Sequence, residues 1–230
     1  MKALLYKEFK LAVHPLCYIF IFAFPFMILI PKYPIAISFI YVLSCYPIMF
    51  LGANKGQQSN DLLYSTLLPI RKKDIVLARI LTICILHFIF IATTTALWPL
   101  ASLIQSSIQA VAGEEYGGIP GLTLNGYIST VGIALVGFGL ADLIFFPIFY
   151  KKGKSIVLST LLTILFFVIY IGITTILIPY LPGCEWYVNI LCNSGIGIQF
   201  GVLGIGLLIY FAIHVAVYFI SSKLLEKVDF

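Results

Sequence analysis

The chain has 230 residues, of which 61% are hydrophobic and only 10% are charged, and its mean hydropathy is +1.08. Soluble domains carry about a quarter charged residues, so this composition excludes a soluble fold and indicates a polytopic membrane protein. Its continuous apolar runs of about 20 residues can each cross a hydrocarbon core as a helix. The net charge of +5 does not indicate nucleic-acid binding, because the placement of these charges follows membrane topology instead.

The first 14 residues predict an amphipathic helix on the membrane surface. Charges are spread through this segment, unlike the basic head and apolar run of a cleavable signal peptide. His14 and Pro15 mark a bend after it. The apolar face predicted to meet lipid comprises Leu4, Leu5, Phe9, Ala12 and Val13, and the basic face predicted to meet headgroups comprises Lys2, Lys7 and Lys10, with Glu8 as the exception.

Six membrane spans are predicted in a single transmembrane domain, 1–230. They cover about 16–30, 35–51, 75–104, 125–150, 155–180 and 196–222. Pro25 predicts a kink in the first span. The third span would reach about 45 Å and must tilt or project from the bilayer. Polar loops are predicted at 105–124 and 181–195, and a short polar tail follows residue 222.

Basic residues support this count of spans. Six spans place both termini on one side, and of the 14 Lys and Arg residues only Lys32 then falls on the opposite side. By the positive-inside rule, the basic side is cytoplasmic.

The polar stretch between the second and third spans is therefore predicted to be cytoplasmic. Within it, residues 59–74 predict a short amphipathic helix along the membrane face, capped by Ser59 or Asn60 and ended by Pro69. A basic anchor follows, and Asp74 is predicted to cap the next helix. An interfacial helix without any partner is the alternative interpretation. The residues singled out are Asp61, Leu62, Leu63, Tyr64, Ser65, Leu67, Leu68, Pro69, Arg71, Lys73 and Asp74.

Catalytic signals are weak. Gly153-Lys154-Ser155 imitates the end of a phosphate-binding loop, but the glycine required five residues earlier is Ile148. Five cysteines are too few and too scattered for a disulfide framework, and no zinc-ligand spacing is present. Cys184 and Cys192 share an outer loop, where they could form a disulfide or remain free.

Asp142 is the one acid deep in a predicted span. Such a group is costly in lipid, so it is a candidate for gating, or else a buried hydrogen-bonding residue. His87 and His214 lie singly in the third and sixth spans and are read as dispersed helix-packing residues. Gly197 and Gly201 form a small-xxx-small pair that predicts helix packing or dimer contact.

Three stretches resemble a known family. Residues 63–79 are similar to the segment between the second and third spans of ABC-2-type transporter permeases, although Leu68 is an extra residue and the usual Ser or Thr after Ile70 is missing. Residues 146–154 resemble the hairpin between the fourth and fifth spans, and residues 4–10 resemble the family's opening. The chain therefore resembles a compact six-span bacterial permease of this family.

The resemblance implies a role for each part. The surface helix (Lys7, Glu8, Lys10) would be the elbow helix, and residues 59–74 would be the coupling helix seated on a separate ATPase subunit. Lys151, Lys152 and Lys154 would make a second cytoplasmic contact. The chain itself would be no enzyme and hold no cofactor, since ATP and Mg²⁺ would bind the partner.

The assembly implied by the resemblance lies in the bacterial cytoplasmic membrane. It would contain two ATPase copies and a second permease chain, as a homo- or heterodimer, in contact with lipid. The cargo would be an exported amphipathic peptide of the modulin or bacteriocin type.

Two other classes remain open from the sequence. A membrane-embedded enzyme would need polar groups clustered at one depth, whereas Asp142, His87 and His214 look dispersed. An ion-coupled carrier would be supported by an inverted repeat, but residues 16–104 and 125–222 show no clear similarity.

Overall fold

The computed structural model describes residues 2–30, 35–40, 70–112, 124–152 and 156–227. Every regular element within these ranges is helical, and the prediction of an all-α membrane protein is confirmed. Continuous apolar sequence favours helices in lipid because they satisfy every backbone hydrogen bond internally.

The N-terminal region forms two short helices at a steep angle. Helix α1 (Lys2–Lys7) runs into a π-helical turn, Glu8–Ala12, and helix α2 covers Pro15–Ala23. The axes of Lys2–Lys10 and Pro15–Leu29 differ by 82°. The bend lies at His14, whose extended backbone is followed by a proline at the first helical position, and whose ring nitrogen accepts the Leu16 amide at 3.2 Å.

The first predicted span differs from its expected form. Helix α2 ends at Ala23, and a 3-10 helix, Phe24–Leu29, replaces the last turns of the predicted span. Pro25 lies in the first turn of this 3-10 helix, because proline cannot donate the amide bond that would continue the α-helix. Leu4 also differs from the prediction, since it is buried inside the protein and not turned to lipid.

Helix α3 (Lys72–Ala112) has 41 residues and spans about 60 Å at the standard rise. It therefore extends well beyond a hydrocarbon core of about 30 Å. Two predictions at its ends were wrong. Asp74 lies in the first turn and is not the cap, and residues 105–112, predicted to be loop, continue the helix.

The second half of the chain is also helical. After a 3-10 turn (Leu124–Gly126), helix α4 covers Tyr127–Lys152 and helix α5 covers Ile156–Gly172. Helix α5 continues through a π turn, Ile173–Leu177, to Tyr180. The predicted loop 181–195 contains helix α6 (Glu185–Val188) and a π turn, and helix α7 covers Ile196–Glu226.

Helices α3 and α4 form the inside of the described bundle. In each, 61% of the most apolar window is buried, against 17% in α5 and 22% in α7. Phe138 of α4 lies at the centre, stacked on Phe167 of α5 at 5.5 Å and on the His87 ring of α3 at 4.6 Å between centroids. The exposed Leu, Ile and Phe side chains of α5 and α7 suit surroundings of lipid or another chain.

Helices α4 and α7 approach closely at two glycines. A Cβ built on Gly206 would lie 2.4 Å from the carbonyl oxygen of Gly132, so no larger residue fits there. The pair predicted from the sequence, Gly197 and Gly201, has only open space around the corresponding positions. The small residues that permit this helix contact are therefore Gly132 and Gly206.

Four described helices are long and apolar enough to cross a membrane, namely α3, α4, α5 with its continuation, and α7. The bent pair of α1 and α2 would supply a fifth if it were one span. The second predicted span, 35–51, is described only over 35–40, where it is helical. The rest of that span lies outside the described residues.

Candidate functional site

One end of the bundle gathers the parts that the sequence places on the cytoplasmic side. Lys73, at the start of α3, lies 3.3 Å from Glu226, at the end of α7. Helix α1 packs against α3 at the same end. These contacts bring three elements that are distant in the chain to one face of the protein.

A buried ion pair joins the N-terminal segment to α3. Arg79 donates from Nε to Glu8 Oε2 at 2.9 Å and from Nη2 to Glu8 Oε1 at 3.3 Å. The two side chains are only 5% and 2% exposed. Lys7 Nζ lies 3.5 Å from the same carboxylate. A bidentate guanidinium–carboxylate pair fixes the relative position of both partners, because the two planar groups must align.

Arg79 also contacts the end of α4. Its guanidinium lies 5.8 Å from the centre of the Phe149 ring, within the range of a cation–π interaction. Phe149 precedes the basic hairpin at 151–154. Arg79 therefore connects the N-terminal segment, the start of α3 and the end of α4.

The described part of the predicted coupling segment, residues 70–74, lies next to this group. Arg71 and Lys73 are exposed, and Asp74 is half-buried. The remaining residues singled out in this segment lie outside the described residues: Asp61, Leu62, Leu63, Tyr64, Ser65, Leu67, Leu68 and Pro69.

The other predicted contact residues fall at the same end. Lys151 is exposed and Lys152 ends α4, whereas Lys154 lies outside the described residues. Lys10 is exposed and donates to the Tyr6 hydroxyl at 3.0 Å. Lys7 and Glu8 differ from the surface positions expected of them, since Lys7 is mostly covered and Glu8 is buried.

A second polar group lies inside the bundle. His214 Nε2 is 2.9 Å from Asp142 Oδ2, and His87 Nδ1 is 3.9 Å from the same oxygen and 3.2 Å from the Tyr210 hydroxyl. All four side chains are buried. The interpretation of Asp142, His87 and His214 as dispersed was therefore wrong, because spans far apart in the sequence bring them together. One sequence signal was available, since Tyr210 and His214 are four residues apart on one helix face.

An apolar cavity of about 430 Å³ lies between α3, α4 and α7. Its polar lining atoms are already bonded. The Thr95 and Tyr127 hydroxyls lie 2.8 Å apart, and Trp98 Nε1 donates to the Leu124 carbonyl at 3.2 Å. The cavity therefore suits an apolar occupant. It is lined by Phe88, Ile91, Thr95, Trp98, Tyr127, Ile128, Val131, Leu135, Phe200, Leu203 and Leu207.

Cysteine and metal chemistry receive no support from the described residues. Cys184 is a free thiol among the described side chains. The side chain of Cys192 lies outside the described residues, so the disulfide considered between Cys184 and Cys192 stays a prediction. Within the described ranges, no group of three or more His, Cys, Asp and Glu side chains could hold a metal ion.

Several long apolar helices with a basic end define a multi-pass α-helical membrane protein. Residues 3–226 match the family described as ABC-2 family transporter protein. The chain therefore belongs to that family and is the membrane permease component of an ABC transporter, which implies an ABC ATPase partner. Comparisons with curated proteins and with solved structures find no match.

Proposed function

We propose that this permease is the passive half of an ATP-driven exporter in the bacterial cytoplasmic membrane, and that a separate ATPase moves it through residues 59–74. The observation that carries the proposal is the Glu8–Arg79 pair, which lies two turns into the helix that follows this segment. A push on the segment would enter α3 at Lys72 and reach Arg79 through a rigid helix.

The group around Arg79 is suited to spread that motion. Glu8 would pass it to the elbow helix, and Phe149 would pass it to α4. A buried bidentate pair resists stretching better than an exposed one, because water cannot replace either partner. Helices α1, α3 and α4 would then move together when two ATPase subunits close.

The cavity between α3, α4 and α7 supports a hydrophobic or amphipathic cargo. Its volume of about 430 Å³ is in the usual range of ligand sites. Aromatic side chains such as Phe88, Trp98 and Phe200 line it, and these accept apolar parts of a peptide without requiring hydrogen bonds. We propose export of an amphipathic peptide by a dimer of permease chains with two ATPase copies.

The first test is purification of the tagged chain from its native membrane, followed by assay of ATP hydrolysis in proteoliposomes. A copurifying ATPase is expected. Transport of an amphipathic peptide should require ATP, and substitutions Asp61→Lys, Leu63→Asp and Leu67→Asp should leave ATP hydrolysis but abolish transport. Lys223→Gln, on an exposed side chain near the end of α7, is the matched control. Normal transport by the three variants would contradict the coupling role.

A second candidate function is an ion-coupled carrier, which the buried Asp142–His214 pair favours. Transport assays in the same proteoliposomes distinguish the carrier from the ATP-driven exporter. An ion-coupled carrier would transport without the ATPase and would stop when the ion gradient is collapsed. The proposed exporter would need the ATPase and would continue without the ion gradient.

A further inference from the structure

The hydrogen bonds of the buried group around Asp142 determine how many protons the Asp142–His214 pair holds. His214 Nδ1 lies 2.8 Å from the backbone carbonyl of Tyr210, and Nε2 lies 2.9 Å from Asp142 Oδ2. A carbonyl oxygen can only accept, so Nδ1 must carry a proton. A second proton must then lie between Nε2 and Oδ2.

The apolar environment of the membrane favours the same number of protons on the pair. With this proton the pair has no net charge, either as imidazolium and carboxylate or as imidazole and carboxylic acid. Without it, the pair carries one negative charge inside the apolar bundle, which is strongly unfavourable. Asp142 is fully buried and His214 is 6% exposed, so solvent does little to offset that charge.

The groups facing the pair come from three helices. From α3, His87 Nδ1 lies 3.9 Å from Asp142 Oδ2, and the Cys84 thiol faces His214. From α7, the Tyr210 hydroxyl lies 3.2 Å from His87 Nδ1. Asp142 itself is the contribution of α4. These are the titratable groups that the described helices bring to the pair, and one proton shared between His214 and Asp142 balances the carboxylate.

We propose that Asp142 and His214 form an intramembrane proton-binding site that holds α7 against α4. The bound proton strengthens the contact between the two helices, and its loss leaves a net negative charge on the buried pair, which weakens that contact. Because the site is buried, the proton can exchange only when α7 and α4 separate. This function goes beyond that of a passive permease, since it makes helix separation depend on proton release.

The first test counts protons directly. The full chain, with any subunit that copurifies, is labelled with ¹⁵N-histidine and placed in lipid nanodiscs. The chain has three histidines, and His14→Asn and His87→Phe assign the signals. Both ring nitrogens of His214 should be protonated or proton-sharing from pH 6 to 8. An ordinary neutral ring at pH 7, with one bare nitrogen, would overturn the proposal.

The second test uses stability against pH. Between pH 7 and 9 the folded pair binds one proton that an unfolded histidine does not, so the folding equilibrium constant should fall about tenfold per pH unit. Asp142→Asn should remove this slope, and Lys10→Gln should keep it. Equal slopes in wild type and Asp142→Asn would overturn the proposal. If Asp142→Asn does not fold, the wild-type proton count and the slope of Asp142→Glu, which should be retained, decide the question.

Discussion

Among the described residues, two groups of ionisable side chains are buried, and they differ in chemistry and in position. Glu8 and Arg79 lie at the basic end of the bundle, where Lys7 and Phe149 also contact them. Asp142 and His214 lie within the bundle, ten or more residues from either end of their helices. Guanidinium keeps its charge at any pH at which the protein survives, whereas imidazole changes charge near neutrality.

This difference suggests different uses. A pair built on a guanidinium suits a mechanical joint between the N-terminal segment and α3, because Arg79 keeps its charge at neutral and alkaline pH. A titratable pair suits a contact that must open, because proton loss leaves a net negative charge on the buried pair and weakens the contact. Each of the following substitutions tests whether the two groups behave in these separate ways.

The largest expected effect is at the Glu8–Arg79 pair. Arg79→Met alone would leave the Glu8 carboxylate buried without its guanidinium partner, and should lower the free energy of unfolding by about 3–5 kcal/mol. The double variant Glu8→Gln with Arg79→Met should recover most of this loss, since no uncompensated charge remains. Unfolding in mixed micelles of increasing SDS content measures both.

The same double variant also tests whether the pair couples ATP hydrolysis to transport. If the pair transmits motion, the recovered double variant should still show reduced transport per ATP hydrolysed. A double variant with normal stability and normal coupling would show that the pair serves folding only. If the stability that the Glu8–Arg79 pair contributes declined as the pH rose above 7, the assignment of a permanent charge to Arg79 would be wrong.

The next largest effect on stability is expected where α4 and α7 pack closely and bring Asp142 and His214 together. Gly206→Ala should destabilise the protein by about 1–3 kcal/mol, because its Cβ would meet the Gly132 carbonyl at 2.4 Å. It should also push α7 from α4 and weaken the bond between His214 and Asp142, which ¹⁵N spectra of His214 would report.

Gly201→Ala is the control on the same helix. Nothing lies within 4 Å of its Cβ position, so it should be neutral or stabilising by up to about 1 kcal/mol through helix propensity. A large loss at Gly201 that depends on protein concentration would instead place this face in a contact between chains. Equal effects at both glycines would contradict the close α4–α7 contact.

The sequence predicts the class of this fold well and its internal contacts poorly. Continuous apolar runs predict helices in lipid without any tertiary information, and the α3 and α7 bundle helices include the predicted spans. Local exceptions were less visible. The sequence alone showed neither where the α-helix at Pro25 would become 3-10 nor that α3 would continue to Ala112.

The candidate sites show the same limit. Asp142 could be selected from its position alone, since an acid in a span is unusual. Its partners could not, because His87, Asp142 and His214 are 55 and 72 residues apart in the chain and only helix packing brings them together. Glu8 looked like an exception on a surface helix, and its pairing with Arg79 required the same long-range contact.

A smaller effect should separate His87 from the proton-binding pair. His87→Phe keeps a ring against Phe138 but loses the hydrogen bond to Tyr210, so a cost of about 1 kcal/mol is expected. The pH slope of stability above pH 7 should remain, because Asp142 and His214 are unchanged. Loss of the pH slope in His87→Phe would indicate that the proton binds at His87 and not at the Asp142–His214 pair.

The smallest effect should come from the exposed pair at the same end as Arg79. Lys73 and Glu226 have side chains about half exposed, 53% and 47%, so water and salt screen their attraction. Lys73→Gln should change the free energy of unfolding by less than about 0.5 kcal/mol, and raising the salt concentration should remove even that difference. Arg79→Met measured under both salt conditions is the reference, because a buried pair is screened much less. A salt-independent loss above about 1.5 kcal/mol for Lys73→Gln would mean that α3 and α7 are held at this end by a contact as strong as the buried one, and the contrast between buried and exposed pairs would fail.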